Sequence, residues 1–259
     1  MFARCRAEGR GALMPFVVAG YPVGTPLGDL LRAIEAGGGD AVEIGIPFSD
    51  PIADGPVIAA AMHDALVAGV TVDSVLADVA AARVEIAMPL VAMVSVSIVD
   101  RLGGPTFIDR LADVGFDGVI VPDADLDAID VLREAATRRD LAFTTLIAPD
   151  TAADRAAAIA RGACGFVYVL ARRGLTGERQ DAPDVADRMA SLRAVTDLPL
   201  VAGFGISTPE HVAAVVGHAD GAIVGSALVR GLGDAVATKA DAIAAARAFV
   251  EPLAAATRG

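Results

Sequence analysis

Two acidic residues stand where an acid can do chemistry. Glu43 lies inside the run Asp40-Ala41-Val42-Glu43-Ile44-Gly45-Ile46-Pro47, among apolar neighbours. An ionised carboxylate is costly in such surroundings, so the group either pairs with an arginine or serves as a proton-transfer residue of tunable acidity. Asp54 closes the next stretch, Pro47-Phe48-Ser49-Asp50-Pro51-Ile52-Ala53-Asp54-Gly55-Pro56, which proline stiffens at both ends. It reads equally well as a second carboxylate turned back over a site and as an ordinary turn or capping aspartate.

A second signal is suited to phosphate. Gly203-Phe204-Gly205-Ile206-Ser207 and Gly225-Ser226-Ala227 each follow a short apolar run, and the latter opens a helix. Backbone amides at glycines and at a helix N-terminus hold an anion without any lysine. Ala171-Arg172-Arg173-Gly174-Leu175-Thr176-Gly177 reads as a lid whose glycines let it close over such a site, ahead of the alternative of a solvated loop with two arginines.

The composition removes several alternatives. Lys239 is the sole lysine and lies in an alanine-rich segment, which argues against a Schiff-base aldolase, a pyridoxal enzyme or a P-loop. His63, His211 and His218 have no partner at metal-ligand spacing, and Cys5 and Cys164 form neither a zinc motif nor a disulfide framework. The expectation is therefore chemistry without metal or cofactor, resting on carboxylates and backbone dipoles. With 21 basic against 33 acidic residues and a net charge of -12, nucleic acid and anionic membranes are poor partners. The uncharged stretch Gly11–Gly28 is broken by Pro15, Pro22 and Pro26, and the first residues lack an apolar signal core, so a cytoplasmic protein is expected.

Those residues need a scaffold, and the chain alternates short aliphatic runs with alanine-rich amphipathic stretches, the rhythm of βα units. The predicted strands are Leu13–Ala19, Ala41–Gly45, Leu90–Val96, Gly118–Val121, Ala142–Ile147, Phe166–Leu170, Leu200–Gly203 and Gly221–Val224. Nearly continuous apolar runs suit parallel strands covered on both faces. Predicted helices include Leu27–Ala36, Val57–Ala68, Val72–Ala82, Thr106–Val114, Leu126–Arg138, Ala152–Arg161, Ala182–Val195, Pro209–Val216 and Ala235–Ala256. Residues 1–259 thus read as one α/β domain, a (β/α)8 TIM barrel with short extra helices. In a barrel the chemistry sits at the C-terminal ends of the strands, and the loops after strands seven and eight commonly bind phosphate. Glu43 then points either into the barrel or into the helix layer.

The run Val42-Glu43-Ile44-Gly45-Ile46-Pro47-Phe48-Ser49-Asp50-Pro51-Ile52-Ala53-Asp54-Gly55-Pro56 closely resembles the signature of the tryptophan synthase α subunit family. Similarity continues through Pro15-Phe16, Gly165-Phe166-Val167-Tyr168, Gly174-Leu175-Thr176-Gly177, Gly203-Phe204-Gly205-Ile206-Ser207 and Gly225-Ser226-Ala227. The resemblance implies a TIM barrel that cleaves indole-3-glycerol phosphate to indole and glyceraldehyde 3-phosphate without cofactor, with a pyridoxal-dependent β subunit as partner. It assigns Glu43 to protonation of the indole ring at C3 and Asp54 to the charge that develops on the ring nitrogen. It puts Phe16, Leu146 and Tyr168 in the indole pocket and Gly177, Gly205, Gly225 and Ser226 around the phosphate, with Thr176 and Phe204 as further substrate-binding residues.

Two stretches depart from the family pattern. Where the family carries a tyrosine, a spacer and an asparagine after the third strand, this chain has Ser95-Val96-Ser97, and the motif after the fourth strand reads Asp123-Ala124-Asp125. The tyrosine position belongs to the indole pocket and the asparagine lies towards the β subunit. Two serines leave the pocket enlarged, refilled by another side chain or shaped for a different ring. The alternatives are a stand-alone or specialised lyase of indole-3-glycerol phosphate or of another aryl or sugar phosphate, and a non-catalytic partner subunit.

Overall fold

The structure, a computed structural model, describes residues 1–51, 54–172 and 183–258. Parallel strands β1 (Ala12–Val18), β2 (Val42–Gly45), β3 (Leu90–Met93), β4 (Gly118–Ile120), β5 (Ala142–Thr144), β6 (Leu146–Ile147), β7 (Val167–Leu170), β8 (Leu200–Gly203) and β9 (Gly221–Val224) form one sheet in the order β5-β4-β3-β2-β1-β9-β8-β7-β6. Its two ends, β5 and β6, are separated only by Thr145, so both belong to one interrupted strand and the sheet closes on itself. Eight strand positions therefore make a TIM barrel.

The helices among the described residues are α1 (Phe2–Ala7), α2 (Leu27–Ala36), α3 (Pro56–Val67), α4 (Val72–Arg83), α5 (Val96–Arg101), α6 (Gly104–Asp113), α7 (Leu126–Arg138), α8 (Ala153–Gly162), α9 (Ala186–Arg193), α10 (Pro209–Val216), α11 (Ser226–Ala237) and α12 (Ala242–Ala255). None is long and apolar enough to cross a membrane alone.

Two expected elements are corrected. The third strand stops at Met93 rather than Val96, because the Ser95 side chain accepts the Ser97 amide and caps α5. The expected Ala235–Ala256 helix is the end of α11 and a separate α12. Lys239 between them has φ 59°, and Asp241 accepts the amides of Ile243 and Ala244 to start the second helix.

Alternate strand residues pack into two different clusters. Leu13, Val17, Val42, Ile44, Leu90 and Ala92 face the helices, whereas Met14, Phe16, Val18, Val91, Met93, Tyr168, Val201 and Ile223 fill the barrel. Burial on both faces explains why the strand sequences show no polar alternation.

The N-terminal ends of the strands carry a repeated structural device. Asp40, Asp117 and Asp220 precede β2, β4 and β9, and their carboxylates accept the backbone amides of Leu13, Leu90 and Leu200 on neighbouring strands. Each also holds an arginine: Arg10 and Arg4 on Asp40, Arg83 on Asp117, Arg193 and Arg6 on Asp220. Burial works to raise the Asp40 and Asp220 carboxyls, but these bonds hold both below the usual range. The acids are thus committed to the frame at the face opposite the barrel mouth.

Candidate active site

The alternation along β2 determines where Glu43 points. Val42 and Ile44 turn outward, so Glu43 turns inward, and in the β1–β2 ladder it is the register partner of Phe16. It lines a small chamber at the mouth with Phe16, Asp54, Ile58, Met93, Tyr168, Phe204, Gly205, Ile206, Ile223, Gly225, Ser226 and Ala227. The cavity volume is about 30 Å³.

Glycines make room for the rings. A Cβ on Gly45 would lie 2.7 Å from the Phe16 ring, and one on Gly203 would lie 2.4 Å from the Tyr168 hydroxyl. Both rings can therefore lie against the wall beside Glu43. Phe204 meets Tyr168 edge-on, with centroids 6.4 Å apart and planes at 71°. Phe204 and Gly205 have φ of 75° and 77°, a left-handed pair that turns the chain sharply after β8. That conformation is uncommon for phenylalanine.

Glu43 is 1% exposed, and its Oε2 has no hydrogen-bonding partner among the described residues. No arginine pairs with it there, unlike the aspartates at the opposite face. Burial first, and the nearby Asp54 carboxylate second, push its carboxyl up to about 8. Burial alone raises Asp54 to about 6. Near neutral pH the pair therefore holds a protonated Glu43 beside an ionised Asp54, an acid and a negative charge in one dry pocket. Burial, with these two carboxylates behind it, also raises the Tyr168 hydroxyl well above its ordinary value, so the phenol stays protonated.

The opposite wall carries the expected anion cradle. Helix α11 begins at Ser226 after Gly225, and no side chain caps its first turn. Its leading amides and the positive end of its dipole are thus available to an anion at the mouth. The Phe204–Gly205 turn borders the same chamber.

Of the residues singled out from sequence, Phe16, Glu43, Asp54, Tyr168, Phe204, Gly205, Gly225 and Ser226 come together here. Leu146, register partner of Tyr168, packs at the edge of the inner cluster and does not line this chamber. Thr176 and Gly177, with most of the expected lid, lie outside the described residues, as do Ile52 and Ala53 of the signature loop. Met93 and Ile223 were missed, because strands buried on both faces carry no sequence alternation to mark the inward residues. Ile58 projects from α3, and strand patterning carries no signal for it.

Fold and pocket define a class: a (β/α)8 barrel with a buried carboxyl pair and a helix-dipole anion site at its C-terminal mouth. The profile of one family, described as tryptophan synthase alpha chain, matches residues 2–258. The tryptophan synthase alpha chain of Chloroflexus aurantiacus is 45% identical over 230 residues, spanning 88% of this chain and 86% of the relative, and that of Synechococcus elongatus is 42% identical, spanning 89% and 88%. A solved structure of tryptophan synthase from Mycobacterium tuberculosis superposes with a TM-score of 0.90 at 34% identity, covering all of this chain and 96% of the other. That of the alpha subunit from Legionella pneumophila gives 0.89 at 31% identity, covering 99% and 96%. The chain belongs to the tryptophan synthase alpha chain family.

Proposed function

We propose that this chain cleaves indole-3-glycerol phosphate to indole and glyceraldehyde 3-phosphate, as the α subunit beside a β subunit that consumes the indole. The carrying observation is the pair of unequal carboxyls: Glu43 raised to about 8 and Asp54 to about 6, in one chamber bordered by an uncapped helix N-terminus.

In this reading the phosphate sits on the leading amides of α11 and the Phe204–Gly205 turn, and the ring lies between Phe16, Met93 and Tyr168. Protonated Glu43 gives its proton to C3 of the indole, and the ring nitrogen becomes an iminium whose positive charge faces ionised Asp54. Glu43, now a carboxylate, takes the proton of the hydroxyl on the carbon attached to C3. That carbon becomes the aldehyde as its bond to C3 breaks, and the bonding pair returns through the ring to the nitrogen. The products leave with Glu43 protonated again. The ring is its own electron sink, so neither a Schiff base nor a metal is needed.

The relatives' designation as the alpha chain of a synthase supports the pairing with a β subunit. The deciding experiment is to supply the purified chain with indole-3-glycerol phosphate and follow both products, with and without a β subunit. Slow release accelerated by the β subunit is expected. No release under either condition overturns the reading.

A further inference from the structure

The barrel wall is interrupted beside Tyr168, and a side chain stands in the interruption. Strands β5 and β6 are one strand broken at Thr145. On one side of the break Phe143 and Cys164 exchange both backbone bonds at 2.8 Å, and on the other Leu146 stands opposite Tyr168. From the first pair to the second the broken strand advances three residues and its partner four. Gly165, at φ 88°, takes up the extra residue.

The amides of β7 alternate between its two neighbours. Val167 donates to the Pro199 carbonyl, on the β8 side, so the Tyr168 amide points the other way, towards the break. There it donates to the Thr144 hydroxyl at 3.4 Å, and that hydroxyl donates to the Thr145 carbonyl at 3.1 Å. One side-chain oxygen thus stands in the ladder between an amide and a carbonyl of facing strands. The Thr145 hydroxyl in turn donates to the Pro122 carbonyl at 3.4 Å, which ties the break to the chain beyond β4. Thr144 is fully buried and, as register partner of Ile120, faces the inside of the barrel. Packing alone asks for no hydroxyl there, since valine has nearly the same shape and nothing polar to satisfy.

Resting on the reading above, we infer that Thr144 is a positioning residue for the reaction: its hydroxyl sets where the Tyr168 backbone stands at the break, and so where the phenol ring meets the indole beside Glu43. The Tyr168 ring has little room to compensate. A Cβ at Gly203 would come within 2.4 Å of its hydroxyl, and the Phe204 ring meets it edge-on. A shift of backbone at residue 168 therefore passes to the ring side of the chamber. The anion side, at the start of α11, follows β9 and stays in place.

That division of effects is the test. Dissociation constants of indole and of glycerol 3-phosphate are measured by calorimetry for the parent chain, Thr144→Val and Thr144→Ser, alongside turnover of indole-3-glycerol phosphate; Thr144→Ala is the second hydroxyl-free chain should valine not fold. The expected result is indole binding weakened about fivefold to tenfold without the hydroxyl, glycerol 3-phosphate binding changed by less than about twofold, and indole binding restored by serine. In a Tyr168→Ala background, removing the hydroxyl changes indole binding by less than about twofold, because the ring it places is gone. Indole binding unchanged without the hydroxyl, an equal loss for both ligands, or no rescue by serine overturns the assignment. Cleavage by the parent chain with any of those results removes the role of Thr144 and keeps the reaction. The selective loss with serine rescue, in a parent chain that releases no indole, keeps the placement of Tyr168 and removes the reaction.

Discussion

Phe16 and Glu43 face one another as register partners on adjacent parallel strands, both turned into the barrel. An aromatic residue is thereby set beside a carboxyl whose Oε2 has no partner among the described residues. Among the described residues no counter-charge faces it, so the acid keeps its proton to unusually high pH.

The first consequence concerns stability. Glu43 is raised from 4.5 to about 8 on folding, so the folded form is favoured while the group is protonated, below about pH 4.5, and loses that advantage as pH rises through 8. Glu43→Gln cannot ionise. It is expected to gain about 3 to 5 kcal/mol relative to the parent chain between about pH 4 and about pH 9, read as the change in denaturant midpoints.

The opposite sign holds at the other end of the barrel. Burial works to raise the Asp40 carboxyl, but Arg10, the Leu13 amide and Cys5 hold it below its ordinary value, so its stabilisation is present at neutral pH and fades in acid as it protonates. Asp40→Ala removes the buried acceptor of two Arg10 bonds and of a strand amide and is expected to cost about 3 kcal/mol near pH 7. Urea denaturation measures it, and the deficit shrinks as the pH falls below the ordinary carboxyl value of 3.8.

Much of this frame is legible in the strand and helix pattern. The spans of α2, α7 and α10 coincide with their predicted ranges, because periodicity and, at α10, the capping run Thr208-Pro209-Glu210 agree there. The end of β3 is not readable in the same way, since Val94-Ser95-Val96 continues an aliphatic run and only the Ser95 bond to the Ser97 amide ends it. Glu43 announces itself by being the one acid within an apolar strand. Its inward direction needs the two clusters, because strands buried on both faces carry no alternation to read. The cavity beside Ser95 is less legible still, for the two serines suggest space but its walls come from four separate segments of chain.

Glycines beside the pocket should be intolerant of a methyl group. A Cβ at Gly203 would sit 2.4 Å from the Tyr168 hydroxyl, so Gly203→Ala must move the ring. We expect about a tenfold or larger loss in kcat/KM on indole-3-glycerol phosphate, and a clearly non-additive double variant with Tyr168→Ala, because both changes act on the same ring.

Gly205→Ala meets two obstacles, a φ of +77° and a contact of 2.7 Å with Arg172 Cδ. It distorts the turn proposed to hold phosphate. The expected signature is a KM raised by about tenfold, with kcat changed less, in steady-state kinetics.

The central claim is that protonated Glu43 and ionised Asp54 form the working pair. It is tested most directly by the initial rate of indole release from indole-3-glycerol phosphate as a function of pH, for the parent chain and Glu43→Gln. The account predicts a bell with limbs near 6 and 8, set by Asp54 and Glu43, and a loss of about a hundredfold to ten-thousandfold in Glu43→Gln. A Glu43→Gln chain that releases indole at the parent rate would contradict it.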